Sequence, residues 1–301
     1  WFHYSPVLDF KDKRFHKLMT LALPAMLSMG ISELNHMIDH ALASGLPEGT
    51  LSSMNSAYRL VTFVQGVLVV PLTTIMFSKM SKKVAAGDER GALRMLLDSL
   101  LQLAVVVLPV VVVGVALSKD VIKFAYMRGR FTLDDVNVTA GILAFYIIGI
   151  PAFGMRDFLS RMFHALKDTQ KPFYVSIVVV CMNVVLNIIL RRFMGANGLA
   201  LATSIAGYVG TAVLIVLLRR RFGRIGFKRV LRELIKILAC TAVCALVCLG
   251  LNAVVPEMVG TGRVLLRLVV CAGTALVVYV LCCLALRVKP LEELLGGLIH
   301  R

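Results

Sequence analysis

The sequence predicts an all-α polytopic membrane protein with about eight transmembrane helices, and three observations carry that reading. Of the 301 residues, 58% are hydrophobic, and the mean hydropathy is +0.84. A water-soluble domain cannot hide that much apolar surface. The apolar residues fall in runs of roughly 20, the length a helix needs to cross about 30 Å of hydrocarbon. The basic residues gather between these runs, as they do where lysine and arginine fix orientation in a membrane. A net charge of +16 would point to nucleic acid in a soluble protein. Here it reads as a topology signal.

The chain opens at Trp1 with a mixed polar and aromatic stretch, WFHYSPVLDFKD. It carries no signal-peptide pattern, so residues 1–16 are expected to be a tether following a missing N-terminal part. Spans are then expected over roughly 17–44, 52–78, 95–117, 138–162, 173–190, 196–218, 234–255 and 264–286. With the tether on the cytoplasmic side, 23 of the 33 lysines and arginines lie on that side and eight on the other; Arg59 and Arg156 fall within spans. Both termini are therefore expected in the cytoplasm. Pro24, Pro71, Pro109 and Pro151 fall inside spans and are expected to bend them. The basic run Arg219 to Arg229 reads as a topology signal that also suits anionic head groups. Cys240, Cys244 and Cys248 form one helical stripe; close packing of small residues is the expected role, with a metal site as the sharper alternative.

Polar groups inside spans carry the functional reading, because a charge at mid-bilayer costs about 2.5 kcal/mol or more. ELNHMIDHALAS (33–44) holds Glu33, Asn35, His36, Asp39 and His40. At about 100° per residue, Glu33, His36 and His40 share one face, and Asn35 and Asp39 share another. Proton relay, cation site and interhelical hydrogen bonding all fit. Asn183 and Asn187 are four apart and present two hard amide oxygens in one direction. Arg59 lies in a span with no nearby intrahelical acid, which invites an anionic ligand or a carboxylate from another helix. Arg156, Asp157 and Arg161 read mainly as an internal ion pair with snorkelling. The chain contains no Walker loop, HExxH or GxSxG pattern, which argues against an ATPase or hydrolase and leaves open an intramembrane enzyme with a novel site.

Several motifs resemble the MurJ/MviN-type lipid II flippase family. They are MIDHALASGLPEG with AYRL, RGRF (128–131), RMFHALKDTQKP (161–172) and GLALATSIAGY (198–208), covering about residues 20–210. The resemblance implies the second six-helix lobe of a two-lobe flippase plus two extra helices. The expected domains are the tether 1–16, a C-terminal lobe 17–220, a basic linker 221–233, and an extra helix pair with a short tail, 234–301. It implies movement of undecaprenyl-pyrophosphate-linked disaccharide-pentapeptide across the bacterial cytoplasmic membrane by alternating access. The head group would enter a central cavity, and the tail would lie along a groove formed with the final two helices. Expected partners are lipid II, membrane phospholipids and the missing first lobe, and not nucleic acid. Arg59 matches a cavity arginine that serves the anionic substrate. Asp39, Asn183, Asn187, Thr203 and the Leu199 carbonyl match a sodium site of some members, the one cofactor the resemblance suggests. Asn187 stands where those members have an acid, which lowers the site's charge. Tyr58 stands where many relatives have an acid before the arginine, Val64–Gly66 lacks the usual proline, and His164 replaces a tyrosine. Glu33, His36 and His40 are unexplained by the family pattern and are kept as a candidate proton-coupling group. The alternatives are a polysaccharide-repeat flippase or cation-coupled drug antiporter of the same superfamily, a non-transporting membrane scaffold, and an intramembrane enzyme built on Glu33 and the histidines.

Overall fold

The structure is a computed structural model that describes residues 13–129, 131–223, 227–256 and 260–299; the expected tether up to residue 12 lies outside them. Among the described residues the chain is helical throughout, with no strand. Seven helical segments, from Thr50–Ala85 to Gly262–Ala285, are long and apolar enough to cross a membrane. The first helix, α1 (Lys13–Ala43), adds an eighth by length, with 31 residues, or roughly 46 Å at about 1.5 Å each.

All eight expected spans are helical. The second is α2 (Thr50–Val64) continued through a π-turn at Gln65–Val69 into α3 (Val70–Ala85). The π-turn has a local cause. Pro71 lacks an N–H and its ring crowds the preceding turn, so the helix widens immediately before it. The others are α4 (Glu89–Ala116), α6 (Leu133–Ala165), α7 (Gln170–Met194), α8 (Ala196–Phe222), α9 (Phe227–Val254) and α10 (Thr261–Ala285). Two short helices had no sequence signal as spans: α5 (Ser118–Tyr126) and α11 (Lys289–Ile299). Helix starts follow local chemistry. Asp88 Oδ1 accepts from the Gly91 N–H at 2.8 Å and caps α4. Thr132 and Asp135 form a reciprocal capping box on α6.

The long helix α6 is the hub, packed against α8, α2 and α4; α1 leans on α7, and α7 on α8. The GLALATSIAGY segment explains the α6–α8 contact. Ser204, Tyr208 and Thr211 on α8 donate to the α6 carbonyls of Phe145 (2.7 Å), Ile148 (2.8 Å) and Ala152 (2.9 Å). These bonds straddle Pro151, where α6 lacks one of its own N–H donors. The α7–α8 turn is equally tight. A Cβ at Gly198 would lie 2.3 Å from the Leu190 carbonyl oxygen, a backbone atom that cannot swing away. Gly198→Ala is therefore expected to cost about 1–3 kcal/mol, read as a lowered thermal midpoint of the purified full-length protein.

The pair α9–α10 joins the rest through α4 and α5. Cys240, Cys244, Cys248, Cys271 and Cys283 pack with Leu101, Val105 and Tyr279 in one buried cluster. Cys244 donates to the Ala275 carbonyl at 3.4 Å, so the stripe fills space between close helices. Arg267 corrects the charge count made from sequence. It is one of the eight basic residues that the sequence count puts on the outer side, yet it is buried and reaches Asp120 on α5 at 2.5 Å. Its Nη2 donates to Asn252 Oδ1 (2.8 Å) and to the Asn252 and Val255 carbonyls. The basic linker is likewise engaged: Arg221 lies 3.6 Å from both Glu89 and Asp168, and Arg229 lies 3.4 Å from Asp98.

Candidate functional site

The polar residues of α1 face inward at one place. Asp39 is 2% exposed and lies where α1 meets α7 and α8. Its Oδ1 accepts from Asn187 Nδ2 at 2.6 Å, and its Oδ2 from the Thr203 hydroxyl at 3.2 Å. Asn187 Nδ2 also donates to Asn183 Oδ1 at 2.7 Å, Asn183 Nδ2 donates to Thr203 Oγ1 at 3.1 Å, and Thr203 also donates to the Leu199 carbonyl at 3.1 Å. With the Asn183 amide turned over, its nitrogen donates instead to Asp39 Oδ1 (3.0 Å) and Asn35 Oδ1 (3.1 Å). Helical spacing aims these groups: 183 and 187 are one turn apart on α7, as are 199 and 203 on α8. Residues from three separate stretches of sequence thus form one connected cluster.

The cluster's donor set is all hard oxygen: one carboxylate, two amides, a hydroxyl and a carbonyl. Asn187 Oδ1 is buried and has no hydrogen-bond partner, a cost that a bound cation would relieve. One carboxylate balances one positive charge. The residues therefore fit a hard monovalent cation.

Beside the cluster is a recess of about 130 Å³, bordered by Asn35, His36, Tyr58, Gln65, Arg156 and Asn183. The Tyr58 hydroxyl and His36 Nε2 share a hydrogen bond of 2.8 Å. Tyr58 stands edge-on to both His36 and Tyr146, which fixes its ring. The π-turn begins at Gln65, on the recess wall.

Arg156 is the residue the sequence reading placed wrongly. Its neighbours do form the expected pair, Arg161 Nε to Asp157 Oδ2 at 2.9 Å. Arg156 itself lines the recess. Its guanidinium makes no hydrogen bond or ion pair among the described residues. Five N–H donors beside an open pocket, inside an apolar bundle, suit an anionic oxygen. The signal that could have found it is position: 156 falls on the α6 face that meets α8, since its Cδ lies 3.2 Å from where a Gly210 Cβ would be. Arg59 sits outside this recess on an exposed stripe that runs from α2 through the π-turn to the start of α3, with Phe63, Val67 and Val70. Of the three residues kept as a proton-coupling group, His36 enters the recess, while Glu33 and His40 are exposed.

Comparison with known proteins gives this geometry a context. The family described as "Lipid II flippase MurJ" matches residues 1–270. A probable lipid II flippase of Thermotoga maritima is 30% identical over 294 residues, which is 98% of this chain and 57% of that protein. One from Rhizobium tropici is 29% identical over 250 residues, 83% of this chain and 47% of its own length. The chain thus spans about half the length of the curated relatives it matches. Among solved structures, "Lipid II flippase MurJ, inward closed conformation" superposes with a TM-score of 0.74 at 27% identity, over 93% of this chain and 56% of that one. An outward-facing multidrug transporter of the MATE family, in the MOP superfamily, superposes at 0.60 with 16% identity, covering 92% of this chain and 66% of its own; that likeness shows the fold.

Proposed function

The chain belongs to the MurJ family, and on that footing we propose that it is the second lobe, with two added helices, of a flippase that carries lipid II across the bacterial cytoplasmic membrane. The observation that carries this reading is the pocket-lining Arg156 guanidinium, without a carboxylate partner among the described residues, inside a helix bundle otherwise apolar enough for lipid. An uncommitted cation in that place costs free energy unless an anion uses it.

Flipping breaks no covalent bond. The barrier is the passage of a pyrophosphate-linked sugar head through hydrocarbon, and a water-lined cationic path lowers it. The recess described here is one wall of that path. Tyr58 and His36 present hydroxyl and imidazole groups for sugar or water, and Arg156 presents its fork for phosphate oxygens. Arg59 lies on the exposed α2 stripe that an opposing lobe would meet. The first lobe supplies the facing wall, and the polyprenyl tail stays in lipid, along α9 and α10. Rocking of one lobe against the other moves the head from one side to the other. Asp39, Asn183, Asn187, Thr203 and the Leu199 carbonyl would hold a hard cation such as sodium, which supplies a positive charge that ties α1 to α7 and α8. The excess of basic residues on one side supports a cytoplasmic position for both ends of the chain.

The test is transport by the full-length protein in proteoliposomes, with lipid II offered against other polyprenyl-linked sugars. Preferential translocation of lipid II is expected. Preference for a polysaccharide repeat, or export of a soluble drug without lipid movement, overturns the reading.

A further inference from the structure

A second and larger cavity, of about 650 Å³, opens between α3, the first half of α4, and α11. It shares no residue with the Asp39 recess, and no residue of α9 or α10 lines it. Its wall is apolar, with Leu72, Ile75, Met76 and Leu294, and its charged rim includes Lys79 and Arg94.

The acids around it are already engaged. Asp88 caps α4 and lies 3.8 Å from Lys83. Asp98 lies 3.4 Å from Arg229, and Glu293 accepts from Gln102 at 3.3 Å. Lys79 and Arg94, both exposed, have no ion-pair or hydrogen-bond partner among the described residues. The cavity therefore carries two uncommitted cations against an apolar wall.

Depth says what these cations meet. Lys79 is six residues before the end of α3, and Arg94 is five after the start of α4. At about 1.5 Å per residue, both lie roughly 8–9 Å inward from the helix ends. A bilayer's polar layer is about 5–8 Å thick on each side; with the helix ends at its outer edge, the two charges fall where phosphate groups meet acyl chains. This end of the bundle also carries the basic excess that marks the cytoplasmic leaflet.

We propose that this cavity is a binding site for an anionic glycerophospholipid of that leaflet, with its phosphate between Lys79 and Arg94 and an acyl chain on the Leu72–Ile75–Met76 wall. Lysine offers a point charge and arginine a fork to the phosphate oxygens. The lipid bridges α3 and α4 and lies under α11, which is tied to α4 by the Gln102–Glu293 bond. The site does not depend on the transported cargo and stands whatever that cargo is.

The experiment places the full-length protein in vesicles of phosphatidylethanolamine and phosphatidylglycerol containing a photoactivatable phosphatidylglycerol, and maps crosslinks by mass spectrometry. Labelling is expected within residues 72–102. It should fall roughly tenfold or more in Lys79→Gln/Arg94→Gln, the worth of two interfacial cations, and persist in Lys79→Arg/Arg94→Lys. Ile75→Trp fills the apolar wall without touching either charge and should also suppress labelling, which keeps the test valid if the charge-removal variant does not fold. Unchanged labelling in both Lys79→Gln/Arg94→Gln and Ile75→Trp overturns the proposal. So does equal labelling by a photoactivatable phosphatidylethanolamine, competition by soluble glycerol phosphate, or displacement by lipid II, which would assign the cavity to the cargo.

Discussion

Asp39→Ala in the full-length protein is expected to slow lipid II translocation by roughly tenfold to a hundredfold. Asp39 is the acceptor that draws α7 and α8 onto α1, through Asn187 at 2.6 Å and Thr203 at 3.2 Å. Removing it takes one acceptor from each of two donors, which keep Asn183 and the Leu199 carbonyl as their others, and loosens the tie of α1 to α7 and α8; the expected slowing corresponds to about 1.4–2.8 kcal/mol in the transport barrier. Asp39→Asn separates structure from charge. The amide keeps the shape and still accepts one hydrogen bond, so a purely structural tie would tolerate it. A cation-holding carboxylate would not: the asparagine variant should be as slow as alanine, and sodium, expected to raise the thermal midpoint of the parent, should leave that of the variant unchanged. Transport by Asp39→Ala at the parent rate removes the cluster from the mechanism.

The largest loss of stability is expected from Arg267→Leu. That side chain holds α10 to α5 through Asp120 and to the end of α9 through Asn252 and Val255. Breaking a buried pair from one side strands the other charge, at about 3–5 kcal/mol. Asp120 Oδ1 already lacks a partner, so little remains to absorb the change. The α9–α10 pair should loosen, seen as a lower unfolding midpoint and faster protease cleavage near residues 255–261. Adding Asp120→Leu should recover much of the loss, because an apolar pair of similar size fills the space without an orphaned charge. Failure of the second substitution to recover stability would mean that the carbonyl contacts to Asn252 and Val255 matter more than the ion pair.

Most of the fold was legible because bilayer length and apolar runs constrain it strongly. Every expected span falls on a helix, with ends that differ by up to seven residues. The short helices were not legible, because α5 and α11 bury one face against neighbours distant in sequence. The five oxygen-bearing residues that met in one cluster were paired by resemblance. Spacing alone showed that Asn183 and Asn187 share a face, not that Asp39 faces them. Arg156 and Arg267 were misread for the same physical reason. A charge near a span end is ordinarily drawn out to water, and only the packing of a second helix over it turns it inward. Arg59, expected from resemblance to line a cavity between two lobes, stands on an exposed stripe of this chain, and these helices alone do not show what faces it.

In the proposed flippase Arg156 is a seat for the substrate's anionic head. Translocation of lipid II by full-length Arg156→Ala and Arg156→Lys in proteoliposomes, at matched protein incorporation, tests it. About a tenfold loss is expected with alanine, from the charge-assisted bonds removed, and partial recovery with lysine. An alanine variant that flips lipid II at the parent rate would contradict it.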